Sequence, residues 1–208
     1  MTARPKNSSV GLDESEILRR GVDTFAELGY EATTMRELAR RLGVSHNFIH
    51  DRYGSKMAFW RAAVDFAFAG VQADRDALVV ETADDAERLR RVIQQLFRLA
   101  AHETQISRLV ADESARDSER LDYLHRGFIQ PFWDSIEPTI AALIAAGRVP
   151  NVPTHVLYFA IVGPAIAVSQ SAIVDRLDPA AAPVADLDRD TLADALSAIV
   201  IRGLLGDE

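Results

Sequence analysis

Residues 33–56, TTMRELARRLGVSHNFIHDRYGSK, hold the group of side chains best suited to chemistry at a surface. His46, Asn47, His50 and Arg52 fall on one face of a short helical pattern. Leu38, Ala39, Leu42, Val44, Ile49 and Tyr53 supply the apolar positions that would lock it down. Imidazole, carboxamide and guanidinium groups donate and accept hydrogen bonds. A helix that presents them outward fits a DNA major groove, which is ~12 Å wide. His46 and His50 also have the i, i+4 spacing of a helical zinc motif. Asn47 occupies the place of that motif's catalytic glutamate, however, and no third ligand is evident. No nucleophile elbow, phosphate-cradling glycine loop or dinucleotide fingerprint is present. The acidic group Asp112, Glu113, Asp117, Glu119 and Asp122 reads as a solvated face. No catalytic residue, metal site or cofactor is therefore expected, and the chain does not read as an enzyme.

The elements needed to hold those residues are all helical. Leu18, Val22 and Phe25 make an apolar stripe on a first helix that Asp13 or Ser15 can cap and Gly29 ends. Thr34 and Glu37 have capping-box spacing, so a second helix starts at Thr34 and stops at Gly43. Ser45 is the expected N-cap of a third helix over 46–53. Ser55 caps a long fourth helix over 56–80. Further helices are expected over 84–102, 104–115, 118–147, 154–174 and 190–205, about nine in all. Pro131 and Pro138 should kink or split 118–147. Residues 175–190 read as a loop and residues 1–12 as a disordered arm. Strand-like alternation is nearly absent, so the fold class is all-α, opening with a three-helix helix-turn-helix unit.

Composition narrows the class further. The 208 residues are 48% hydrophobic and 26% charged, enough apolar material for a core. There is no cysteine, which excludes disulfide scaffolds, zinc fingers, iron–sulfur sites and thiol nucleophiles. Net charge is −8, but it is unevenly placed: residues 1–60 carry +1 and residues 61–208 carry −9. A near-neutral head on an acidic body is compatible with a head that touches phosphates. The longest apolar run, 156–168, is too short to span a bilayer and contains Gly163-Pro164. The first fifteen residues lack the apolar stretch of a secretory signal. A soluble cytoplasmic protein with no membrane partner is expected.

At this point a resemblance emerges. The residues Phe25, Leu28-Gly29-Tyr30, Thr33-Thr34-Met35, Leu38-Ala39, Gly43-Val44-Ser45, Ile49, Tyr53 and Ser55-Lys56 are similar to the DNA-binding domain of the TetR family of bacterial regulators, over 16–69. The resemblance implies a DNA-binding domain over 13–56, with its motif at 34–53, and a helical ligand-binding and dimerisation domain over 57–208. It also implies roles at matching positions. Thr34 and Lys56 would meet phosphates. Ser45, His46, Asn47 and Phe48 would open the recognition helix, with Asn47 on adenine and Phe48 on a thymine methyl. Arg36 and Arg52 are candidates for phosphate or guanine. His50 stands where the family often has Tyr, and Asp51 is an acid within the recognition helix.

In the body, Gln94, Phe97, His102, Phe128, Phe132, Trp133 and Tyr158 could line a small-molecule pocket or simply fill a core. The last two long helices are apolar on more than one face. Leu157, Ile161, Ala165 and Val168, with Leu196, Ile199, Val200 and Leu204, would make a four-helix dimer interface. The expected function is that of a dimeric transcriptional regulator, a repressor in the first instance. It would bind a near-palindromic double-stranded operator, and an unknown small-molecule effector would modulate it through the fourth helix. The alternatives are an all-helical small-molecule binding protein or enzyme without DNA function, and a protein–protein adaptor.

Overall fold

The computed structural model describes residues 13–77, 84–167, 170, 173, 176, 177 and 188–206. The expected arm, the loop at 178–187 and Val168 lie outside these residues. Among the described residues there is no strand. The chain divides into two compact units, Met1–Gly70 and Val71–Glu208.

In the first unit, α1 (Glu14–Leu28), α2 (Met35–Leu42), α3 (Phe48–Tyr53) and the early turns of α4 (Lys56–Ala77) enclose one core. Local chemistry sets each boundary. Gly29 and Gly43 take positive φ and end α1 and α2. The Thr34 side chain accepts from the Glu37 N–H at 3.1 Å, and Ser55 accepts from Ala58 N–H at 3.0 Å. Leu38, Leu42, Ile49, Phe59, Trp60, Ala63 and Val64 are fully buried, each large one contributing about 1.5–3 kcal/mol. The buried Phe59 and Trp60 carry this core past residue 56, and the unit runs on to Gly70. Phe59 is the hub: its ring meets Tyr53 at 4.9 Å and Phe25 at 6.1 Å.

Gly21 permits that hub. A Cβ there would sit 2.7 and 2.9 Å from two Phe59 ring carbons. Replacing a helix-interior glycine by alanine ordinarily gains up to ~1 kcal/mol. Here overpacking a fully buried ring costs ~1–3 kcal/mol and outweighs the gain. Gly21→Ala is expected to lower the urea midpoint, and adding Phe59→Leu should restore part of the loss.

The second unit comprises α5 (Asp85–His102), α6 (Thr104–Ser114), α7 (Glu119–Leu124), α8 (Gln130–Ala145), α9 (Thr154–Ala167) and α10 (Arg189–Leu205). Asp84, Ser118 and Asp188 cap α5, α7 and α10 through their side chains. Neither proline breaks the 119–145 stretch. A π-helical turn, His125–Ile129, joins α7 to α8 just before Pro131, and Pro138 lies inside α8. Pro131 has no N–H, and its ring would crowd an α-helical carbonyl four residues back, so the wider turn sits where the proline perturbs the ladder.

The core of this unit is one apolar cluster. It includes Leu89, Ile93, Phe97, Trp133, Ile136, Ile140, Leu157, Ile161 and Ala165. Away from it, α6 and α7 are joined by a buried ion pair. Arg120 Nε donates to both carboxylate oxygens of Glu113, at 2.9 and 2.8 Å.

Candidate nucleic-acid interface

The outward-facing polar side chains of the first unit lie on the turn before α3 and on α3 itself. The third helix is shorter than its sequence indicates. It begins at Phe48 with Asn47 at the N-cap position, and Ser45 caps nothing with its side chain. Instead the Ser45 carbonyl accepts from Phe48 N–H at 3.0 Å. Ser45, His46 and Asn47 therefore project from a turn, where their backbone N–H groups are not consumed by a helical ladder. All three are exposed, as are His50 and Arg52, while Phe48 is half-buried and Ile49 anchors the helix from below.

Hydrogen bonds already assign several of these groups. His50 Nδ1 donates to the Gly54 carbonyl at 3.0 Å. A carbonyl only accepts, so Nδ1 carries the proton and Nε2 is left as the outward atom. In the neutral ring Nε2 can accept from a base amino group; only the imidazolium could donate from it to a phosphate. This is the chemical consequence of having His rather than Tyr here. Arg52 donates to Glu14 at the start of α1 at 2.7 Å, and Tyr53 reaches the same carboxylate at 3.3 Å. Thr34 uses an oxygen lone pair for its cap, which leaves its hydroxyl hydrogen to donate outward. Arg36 is exposed beside it.

The neighbouring arginines brace the scaffold. Arg40 and Arg41 both bind Glu37, and their hydrogen bonds hold its carboxyl at about 2, well below the usual range. Arg41 also spans to Glu27 on α1. The Glu37 half of the capping box is thus diverted to these arginines.

Lys56 has a structural part that its spacing does not show. Its ammonium donates to the Tyr30 and Thr33 carbonyls, both at 2.9 Å, and lies 4.0 Å from the Tyr30 ring centroid. These contacts fasten the start of α4 to the α1–α2 turn, so the residue serves as a staple within the fold. Spacing alone misses this, because the acceptors are backbone atoms more than twenty residues away. Lys56→Met keeps the aliphatic stem and removes the charge. It is expected to cost about 2 kcal/mol of stability, given ~1.5–3 kcal/mol for hydrogen bonds to charged groups. With folded protein, the salt dependence of DNA binding should be unchanged; a slope flattened by about one unit would return Lys56 to the interface.

Of the candidate ligand residues of the second unit, Phe97 and Trp133 belong to the apolar cluster with Phe132 and Tyr158 packed against it, while Gln94, His102 and Phe128 lie outside it. Phe97 is fully buried, Trp133 nearly so, and Tyr158, Phe132 and Phe128 are half-buried. Phe128 packs on Tyr123 at 6.3 Å. Gln94 is exposed, and His102 is exposed and bonded through Nε2 to Asp190 at 2.9 Å. Both lie outside the core because they fall on the solvated side of α5.

Most of the expected dimer stripe is covered within one chain. Leu157, Ile161 and Ala165 are 4%, 1% and 2% exposed within one chain, and Leu204 is buried as well. Leu196 and Val200 pack against the same cluster. Of the described members of that set only Ile199 is open, at 68%. The uncovered stripe on α9 is its neighbour, with Phe159 at 64% and Val156 at 45% exposed.

Among the described residues no group of His, Asp and Glu is arranged to hold a metal, and no helix is long and apolar enough to cross a membrane.

The α-helical hairpin with its buried apolar seam and exposed polar turn-plus-helix has the form of a helix-turn-helix, the arrangement that presents a recognition helix to a DNA groove. Residues 17–63 match the family model described as bacterial regulatory proteins, tetR family. A relative in Mycolicibacterium smegmatis, the HTH-type transcriptional activator FasR, is 32% identical over 99 residues, covering 46% of this chain and 43% of that protein. The chain spans less than half the length of the curated relatives it matches. Solved structures share the fold across nearly the whole chain. AibR, crystallised with isovaleryl coenzyme A and operator DNA, has a TM-score of 0.70 at 16% identity, covering 94% of this chain and all of that one. FadR from Bacillus subtilis, with stearoyl-CoA, has a TM-score of 0.64 at 16% identity, covering 92% and 100%.

Proposed function

We propose that this protein is a homodimeric transcriptional regulator of the cytoplasm that binds a near-palindromic operator and changes its affinity when a small molecule binds the second unit. The observation that carries the reading is the exposed set Ser45, His46, Asn47, His50 and Arg52, mounted on a fully buried Leu38–Leu42–Ile49 seam. Thr34, Arg36 and Arg52 take phosphates or guanine, Arg52 by exchanging Glu14 for DNA. Asn47 and Phe48 read base edges, and His50 accepts through Nε2. The role is repression by operator occupancy, although the FasR relative is named an activator.

The dimer face is the uncovered stripe of α9, Val156 and Phe159, together with Ile199 of α10, because the other apolar stripes are spent within the subunit. Two-fold pairing places two recognition helices on half-sites about one helical turn apart, ~34–36 Å. An effector shifts operator affinity only through differential binding to the DNA-competent state. The relatives solved with coenzyme A thioesters support a small-molecule effector.

The test is a fluorescence-anisotropy titration against the chain's own upstream DNA at several salt concentrations. Specific, salt-dependent binding that Arg36→Ala and Asn47→Ala weaken is expected. Equal affinity for operator and scrambled DNA would sink the reading.

A further inference from the structure

We propose that Trp133 and Tyr158 form the polar end of a small-molecule site in the second unit, built for an uncharged, largely apolar ligand that presents a carbonyl or ether oxygen. This rests on the effector reading above and gives the effector a chemical class.

The starting point is a donor with nothing to bond. Trp133 is 7% exposed. Its Nε1 is buried without a hydrogen-bond partner. An indole N–H can only donate, and leaving one unmet in a protein interior costs ~1–3 kcal/mol. The buried Thr139 and Ser197 of this unit are satisfied, by contrast: Thr139 accepts from Arg88 at 3.4 Å, and Ser197 donates to the Asp194 carbonyl at 3.0 Å.

Tyr158 lies against the indole, ring centroids 6.1 Å apart at 63°. An edge-to-face contact of this kind is a weak substitute for a hydrogen bond. Burial holds the Tyr158 phenol above its usual range, so it stays a neutral donor. Ile136, Ile140, Leu157, Ile161 and Val162 belong to the same apolar cluster, and among the described residues the buried charged side chains of this unit, Glu113 and Arg120, are paired with each other. A charged headgroup would have no counter-ion there and would bear a desolvation penalty. An oxygen with lone pairs on an apolar frame satisfies the indole at no such cost. The π-helical turn His125–Ile129 ends four residues before Trp133 on the same continuous helical stretch, and such turns concentrate at functional sites.

The chain contains two tryptophans, so Trp60→Phe leaves Trp133 as the sole indole of the full-length protein. Its indole ¹⁵N–¹H resonance is followed while 2-octanone, n-octane or octanoate is added. Saturable 2-octanone binding that moves the resonance downfield is expected, with n-octane and octanoate weaker. Calorimetry should show Trp133→Phe binding 2-octanone about tenfold more weakly, with n-octane unaffected, since one hydrogen bond is worth ~0.5–1.5 kcal/mol. A resonance that does not move, or a ketone that binds no better than the alkane, overturns the proposal. Should Trp133→Phe fail to fold, the resonance of the Trp60→Phe protein decides the matter alone. Operator binding is measured in parallel. If it is intact and the indole is silent, the site falls and the regulator stands. If operator binding is absent from the unsubstituted protein, the regulator reading falls, and the indole response still decides the site.

Discussion

Phe159→Glu combined with Ile199→Glu is expected to convert the protein to a monomer and to reduce operator affinity by at least about a hundredfold. The two side chains are the most exposed large apolar groups of α9 and α10, at 64% and 68%. In a self-complementary interface each substitution acts twice, placing carboxylates where apolar area was buried. Neither residue contributes to the core of its own chain, so the monomer should keep its helical content and its melting behaviour apart from the concentration dependence of a dimer. Loss of the second recognition helix removes half of the contacts and the gain from linking two half-sites. Sedimentation velocity and anisotropy on the same samples check both outcomes. A dimer that survives both substitutions would move the interface elsewhere. By contrast, Ile161→Leu should leave assembly untouched, because Ile161 is 1% exposed within a single chain.

The second large effect concerns the buried pair between α6 and α7. Arg120→Leu is expected to cost about 3–5 kcal/mol, the usual consequence of leaving one buried charge without its partner. Glu113 is 2% exposed and takes both of its principal hydrogen bonds from Arg120. Adding Glu113→Leu should recover most of the loss, since replacing both members of a buried pair by apolar groups is often neutral or stabilising.

The pH dependence distinguishes this from a packing defect. Burial pushes the Glu113 carboxyl up, and Arg120 opposes that. In Arg120→Leu the opposition is gone, so the folded-state value rises further above the unfolded one. The penalty is then full at neutral pH and shrinks as pH falls through the raised value, because the neutral acid is cheaper to bury. As pH is lowered from neutrality, the urea midpoint of the variant should approach that of the parent protein. A deficit that stays constant with pH would assign the loss to packing.

Most of the helices are legible because their ends are written in local chemistry. Gly29, Gly43, Thr34, Asp84, Ser118 and Asp188 act within one turn of their own positions. Ser45 misleads for an equally local reason: a good N-cap residue sits at a turn whose backbone bond to Phe48 takes over. Pro131 suggests a break, but a π turn accommodates it.

The amino-acid order by itself determined the all-helical class and the helix-turn-helix motif, together with the exposed Ser45–Arg52 polar set, because helical periodicity and caps depend on neighbours three or four residues away. Only the tertiary structure decided which apolar stripe of α9 faces the subunit's own core. It also decided that Lys56 binds carbonyls, that Glu14 holds Arg52 and that Trp133 is left with an unmet donor. Each of these depends on groups far apart in the chain. Helical spacing shows that two faces are apolar, but only packing shows which one is already covered.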